Sequence, residues 1–278
     1  ADPIKLLNPI ASQMSVMRSS LLGSLIAVLK FNLDRKAQRV RLFELGRVFR
    51  KDASIQDSDT SVAGFDQPMR VAGLAYGGVD RLQWGSADRN VDFFDIKGDV
   101  QALLAPLQPT FKPAEHAAMH PGRCARVWLG ERCIGHVGEL HPKWRQGYDL
   151  AQAPVMFELA LDAVLQREVP VFQSVSRHQP VERDIAIVVK EAVTHAAVME
   201  AIRAPGSALL RDAVLFDVYR PKKQADGSVA GGLAAEEKSL AVRLTLSRDD
   251  ATLTEEEIES AVNAVIASLD QRLGARLR

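Results

Sequence analysis

The chain has 278 residues, of which 47% are apolar and 25% charged, and its 35 Lys+Arg are balanced by 35 Asp+Glu. That length holds one large domain or two ordinary ones and can bury a substantial core. Zero net charge names no partner and counts against generic nucleic-acid binding, and no apolar run approaches the roughly 20 residues that a membrane helix needs. No secretory signal is present. The chain begins at Ala1 rather than Met, as a fragment or a cleaved tag would.

Residues 1–20 read as extended and loop-like, with Pro3 and Pro9 as breakers. Ser19 or Ser20 can cap a helix from about Leu21 to Leu33, whose apolar stripe is Leu22, Leu25, Ile26 and Leu29. Val40 to Phe49 reads as a strand, 51–68 as a long exposed loop, and Arg70 to Tyr76 as a second strand. Asp95 to Leu104 is a helix ended before Pro106. A hairpin follows, Cys124 to Leu129 and Arg132 to Val137, joined by Gly130-Glu131 in a Gly-first two-residue turn of type II′ character. Val155 to Leu161 is a further strand. Mixed helices and antiparallel strands predict an α+β domain over residues 1–165. The segment QREVPVFQSVSRHQPVE, 166–182, has two prolines and little periodicity and reads as a linker.

From Arg183 the order is strand (183–189), helix (capped by Thr194, stopped by Pro205-Gly206), strand (210–219), strand (238–246) and helix. The last helix opens with a capping box, Thr254 and Glu257, and ends at Gly274; its core face is Ile258, Ala261, Val262, Val265 and Leu269. Ala275 to Arg278 can add a short edge strand. This is the βαββαβ order of a ferredoxin-like sandwich, predicted over 183–278.

Side chains alternate across a strand. One face then carries Ile185, Ile187, Val189, Val214, Phe216, Val218, Leu240, Val242, Leu244 and Leu246, an apolar set that both helices can cover. The other carries Asp184, Ala186, Val188, Ala213, Leu215, Asp217, Tyr219, Ser239, Ala241, Arg243 and Thr245 and is left open. An open sheet with an aromatic stacker and short polar groups suits unpaired bases. Tyr219 can stack on a base, Asp217 can accept from base N–H groups, Ser239 can donate or accept, and Ala186 leaves room. The same pattern also fits a solvated sheet face, a face packed on another domain, or a small-molecule regulatory domain. Residues 171–278 hold 14 Lys/Arg against 16 Asp/Glu, so any RNA contact there is local.

The segments LFDVYRPKK, EEKSLAVRLTL and TLTEEEIESAVNAVIASL resemble the ferredoxin-fold anticodon-binding domain that closes the β subunit of bacterial phenylalanine–tRNA ligases. Upstream, LLNPIASQMSVMRSSLLGSLIAVLKFN, LFELGRVF, FFDIKGDVQALL and HPGRCARVWLGERCIGHVGELHP resemble the domain preceding it in that subunit. The resemblance implies a class II synthetase-like antiparallel sheet domain without catalytic motifs, followed by the anticodon-binding sandwich. It further implies a catalytic α subunit as partner, a heterotetramer of two α and two β chains, phenylalanine tRNA as ligand, and a cytoplasmic location. It implies no cofactor held by this part, with ATP and Mg2+ used by the assembled enzyme. Positions matching the family's anticodon contacts are Ala186, Asp217, Tyr219 and Ser239, and Arg243 shares their face. The connection RPKKQADGSVAGGLAAEEK is longer than usual in the family and rich in Gly and Ala; Arg220, Lys222 and Lys223 at its start are either a solvated cluster or phosphate contacts.

Other chemistry finds little support. Phosphate-cradling glycine loops, a GxSxG elbow and an HExxH pair are absent from the sequence. His116, His120, His136 and His141 fall in one region without convincing thiolate or acidic partners for a metal. Cys124 and Cys133 read as two buried thiols, with a disulfide across the hairpin or a metal as alternatives. Arg50, in GRVFRKD, resembles a class II ATP-binding arginine, but Lys51-Asp52 replaces the usual polar-acidic pair and no second, Gly-rich arginine motif follows. Arg50 is therefore expected at a surface or interface. The competing readings are an independent class II-like ligase and a ligand-sensing protein with a ferredoxin-like regulatory domain.

Overall fold

The computed structural model describes residues 3–59, 61–166, 171–172, 177–221, 233–234 and 236–278. The chain divides into two compact units, Ala1–Pro170 and Val171–Arg278.

In the first unit a 3-10 turn, Ser12–Met14, precedes helix α1 (Leu22–Asp34). Strands β1 (Val40–Arg47), β2 (Arg50–Lys51), β3 (Phe65–Asp66) and β4 (Met69–Tyr76) follow, then helix α2 (Phe93–Leu104). Strands β5 (Thr110–Pro113), β6 (Met119–Leu129) and β7 (Arg132–Leu140), helix α3 (Pro142–Gly147), strand β8 (Val155–Ala160) and helix α4 (Leu161–Val164) complete it. Six strands form an antiparallel sheet in the order β1-β4-β8-β7-β6-β5. Alternation along β4 sends Ala72 and Leu74 toward α1, where Leu22, Leu25, Ile26 and Leu29 are buried. Val71 and Ala75 go to the opposite face, against Ile96, Val100 and Leu104 of α2. Each such fully buried leucine is worth about 1.5–3 kcal/mol relative to exposure.

The local signals act as physical chemistry requires, with some displacements. Ser20 Oγ accepts the Leu22 N–H at 3.1 Å, although the cap position itself is Leu21. The second helix begins two residues before Asp95, because Asp92 and Asp95 make a reciprocal capping box. Gly130 has φ 55°, and Leu129 pairs with Arg132 across the two-residue turn. The stretch 51–68 is not loop throughout, since β2 and β3 pair within it.

The second unit comprises β9 (Val181–Lys190), α5 (His195–Arg203), β10 (Leu210–Tyr219), β11 (Glu237–Leu246), α6 (Glu255–Leu273) and β12 (Arg276–Leu277). Strand β9 thus begins inside the stretch read as linker. The antiparallel sheet has the order β10-β11-β9-β12, with the first and last strands of the unit adjacent, as the ferredoxin-like βαββαβ path requires. Thr194 and Thr254 cap their helices, and Gly274 ends α6 at φ 61°. Both helices cover one face of the sheet. Ile185, Ile187, Val189, Leu240, Val242 and Leu244 pack there against Val198, Ile202, Val265 and Leu269.

Strand β10 departs from simple alternation. A β-bulge falls between Leu215, opposite Val242, and Asp217, opposite Ala241. The bulge inserts Phe216 as an extra residue and changes the parity of the strand. Ala213 and Leu215, read above as open-face residues, therefore pack into the core. Val214 and Phe216, read as covered, face the open side: Val214 pairs with Arg243 and is 49% exposed, and Phe216 is 53% exposed.

Candidate nucleic-acid interface

The face of the second sheet that carries no helix is organised in lateral rows by strand register. Asp217, Ala241 and Ala186 form one row. Tyr219, Ser239, Val188 and Arg276 form the next. On the other side Val214, Arg243 and Asp184 make a third. Two alanines thus make a floor in the middle of the sheet, bordered by a carboxylate, a phenol ring and a hydroxyl. The two methyl groups of the floor leave room for a planar ring beside the Asp217 carboxylate and the Tyr219 ring.

Each sequence-predicted residue has a definite place. Asp217 is exposed, and Tyr219 and Ala186 are half-buried. Ser239 is 4% exposed, although it stands on the helix-free face. Arg243 is exposed but engaged: its Nε and Nη2 donate to the two Asp184 oxygens at 2.8 Å each, and Nη1 lies 3.2 Å from Glu182. The hydrogen bonds from Arg243 hold the Asp184 carboxyl below its ordinary range, while Asp184 raises the guanidinium. Arg243 therefore shapes the rim more than it offers an empty cationic fork. Arg220 Nε donates to Glu191 at 3.0 Å. Lys222 and Lys223 lie outside the described residues.

Two participants were missed in the sequence. Phe216 stands on this face with the Arg243 guanidinium 5.4 Å from its ring centroid. The Arg278 guanidinium lies 5.0 Å from the centroid of the Tyr219 ring. Strict alternation hid Phe216, because no residue pattern announces the bulge. Arg278 was hidden because its contact depends on strands from opposite ends of the unit meeting in one sheet.

The first unit offers other chemistry only in outline. The His116 and His136 rings are 4.9 Å apart. Burial lowers the pKa of both; in His136 the neighbouring His116 and Arg126 add to it, and the value falls to about 4. His120 Nδ1 accepts from Gly122 N, and His141 Nδ1 from Lys143 N, both at 3.0 Å. Among the described residues no group of three or more His, Cys, Asp or Glu is placed to hold a metal ion, and no helix is long and apolar enough to cross a membrane. Both cysteines are free; Cys124 is buried as expected, but Cys133 is exposed, and across the hairpin Cys124 pairs with Gly138 and Cys133 with Trp128. Arg50 is exposed on β2, opposite Asp66.

Strand order, helix placement and the open face put the second unit in the class of ferredoxin-like sheet modules. The chain matches the family model of the phenylalanyl tRNA synthetase beta chain CLM domain over residues 1–161 and that of the ferredoxin-fold anticodon binding domain over residues 176–278. The phenylalanine–tRNA ligase beta subunit of Ralstonia nicotianae is 50% identical over 100% of this chain and 34% of its own length. That of Cupriavidus pinatubonensis is 47% identical with the same coverage, and that of Dechloromonas aromatica 46% identical over 100% of this chain and 33% of its own. The chain belongs to the phenylalanine–tRNA ligase β-subunit family. It spans about a third of the length of these relatives.

Proposed function

We propose that this chain is the part of a cytoplasmic phenylalanine–tRNA ligase β subunit that holds the anticodon of phenylalanine tRNA while supporting the catalytic α subunit. The observation that carries the reading is the two-alanine floor of Ala186 and Ala241 bordered by Tyr219, Asp217 and Ser239. Stacking on Tyr219 would contribute about 1–3 kcal/mol per base. Asp217 and Ser239 would select base edges by hydrogen bonding. Binding energy gathered there orients the acceptor end of the tRNA in a distant active site, so the contribution is position and specificity rather than bond making. ATP and Mg2+ belong to the catalysis of the assembled enzyme.

Support for a docked α subunit comes from the first unit. Helix α1 exposes Val28 and Phe31, and the edge strand β1 exposes Phe43 at 76% and Leu45 at 54%. Large apolar side chains exposed on an edge strand are a liability unless a partner covers them. The proposed assembly has two α and two β chains.

The test is Tyr219→Ala combined with Ser239→Ala in the assembled ligase. Affinity for phenylalanine tRNA should fall by about 1–3 kcal/mol, with thermal unfolding unchanged. Wild-type affinity in the double variant would sink the assignment of this face.

A further inference from the structure

The stacking side of Tyr219 is not bare. Arg278, just past β12 at the far edge of the sheet, is tied down by its backbone N–H, which donates to Ala186 O at 3.0 Å. Its side chain runs back across the open face. The guanidinium reaches the Tyr219 ring, 5.0 Å from the centroid, and Nη1 stands 3.5 Å from Ser239 Oγ. It approaches over Ser239, the neighbour of Tyr219 across the sheet, and so covers the Tyr219 ring where it borders that serine. This cover accounts for a serine that is 4% exposed on a face without helices. A stacked guanidinium and a stacked base need the same volume on that ring.

The charge of Arg278 is also unusual for this surface. Arg243 is paired with Asp184 and Glu182, Arg276 with Glu237, and Arg220 with Glu191. Among the described residues, no Asp or Glu side chain forms an ion pair with Arg278. Its guanidinium is held by a ring and a hydroxyl alone, contacts that a base can replace one for one. A base brings with it what Arg278 lacks, a flanking phosphate.

We infer that Arg278 is a placeholder for the bound nucleotide: it covers Tyr219 and Ser239 in the free protein, then yields both to an unpaired base and transfers its guanidinium to an adjacent phosphate. The inference rests on the anticodon reading above. It explains how an aromatic ring and a hydroxyl stay protected on a helix-free face until RNA arrives. The handover exchanges a cation–π contact for a charge-assisted one, so little of the binding energy is lost in uncovering the site.

The test uses the assembled ligase with wild-type β subunit, R278A, R278K and Y219A. Nitration of Tyr219 by tetranitromethane, followed by mass spectrometry, reads the cover directly. Without RNA it should be several-fold faster in R278A than in wild type, and phenylalanine tRNA should protect Tyr219 in both. The slope of log affinity against log salt should be shallower by about one in R278A, because one phosphate contact is gone, and close to wild type in R278K. Thermal melting checks that the variants are folded. An unchanged nitration rate or an unchanged salt slope in R278A overturns the placeholder. Wild-type tRNA affinity in Y219A overturns instead the anticodon reading beneath it.

Discussion

The Glu158 carboxylate in β8 accepts a hydrogen bond from the Leu21 backbone N–H at 2.8 Å, across 137 residues of sequence. The same oxygen accepts from Ser20 Oγ at 2.6 Å. One side chain in the middle of the sheet thereby satisfies donors at the start of α1, the helix that packs Leu22, Leu25, Ile26 and Leu29 on that face. Glu158→Ala leaves both donors without their acceptor in a half-buried setting. It should lower stability by about 1–3 kcal/mol, read from the urea midpoint; a shift within error would show that water replaces the carboxylate without cost.

Gly135 in β7 is required by the close approach of β8. A Cβ there would lie 2.0 Å from the Glu158 carbonyl oxygen and 2.9 Å from Leu159 Cα, both backbone atoms of a paired strand. Neither can swing aside as a side chain would. Gly135→Ala should therefore cost about 1–3 kcal/mol or more from overpacking, measured by thermal unfolding. Gly130→Ala, in open space but at φ 55°, should act only through backbone strain.

The half-buried histidine pair makes stability depend on pH. Burial, then the charges of His116 and Arg126, bring the His136 pKa to about 4, below the roughly 6.5 of an unfolded histidine. Between those values the unfolded chain binds more protons than the folded one. Stability is full above about 6.5 and declines as pH falls toward about 4, where the difference is exhausted. His116 acts in the same direction. In His136→Gln, unfolding measured across this range should show a flatter pH dependence than wild type. Identical curves would mean that the pair titrates normally.

The alanine floor makes a size-based prediction for RNA binding. Ala186 is half-buried on the open face, opposite Ala241 and in the row of Asp217. Ala186→Leu adds three carbons where a base would rest, while the residues packed against the helices are untouched. We expect phenylalanine tRNA affinity to drop at least as far as in Tyr219→Ala, with little change in melting temperature. Normal binding by the leucine variant would mean that no base lies over this row.

Much of the second unit was legible because its stops and caps are chemically specific. Thr254 with Glu257, Thr194 and Gly274 each supply a group that a helix end needs, and the strand at 210–219 is bounded by loop residues on both sides. Asp217, Tyr219 and Ser239 were placed on the open face correctly, for their alternation runs from the end of β10 nearest its connection to β11. Val214 and Phe216 were not, because periodicity assumes an unbroken ladder. In the first unit, β5 contains Pro113 and no alternation, and α3 is only six residues long. Such short elements exist by tertiary pairing and leave little periodic trace.

The bulge in β10 also makes this strand unequally tolerant of changes in length. A chain lacking Phe216 would have one residue fewer and an unbroken ladder from Asp212 to Tyr219, with Asp217 and Tyr219 turned to the same side as before. A chain lacking Val218 would bring Tyr219 opposite Leu240, beneath the helices, and leave the nucleic-acid side without its ring. Homologues that differ by a single deletion here can thus keep or lose the recognition surface depending on which of two neighbouring positions has gone.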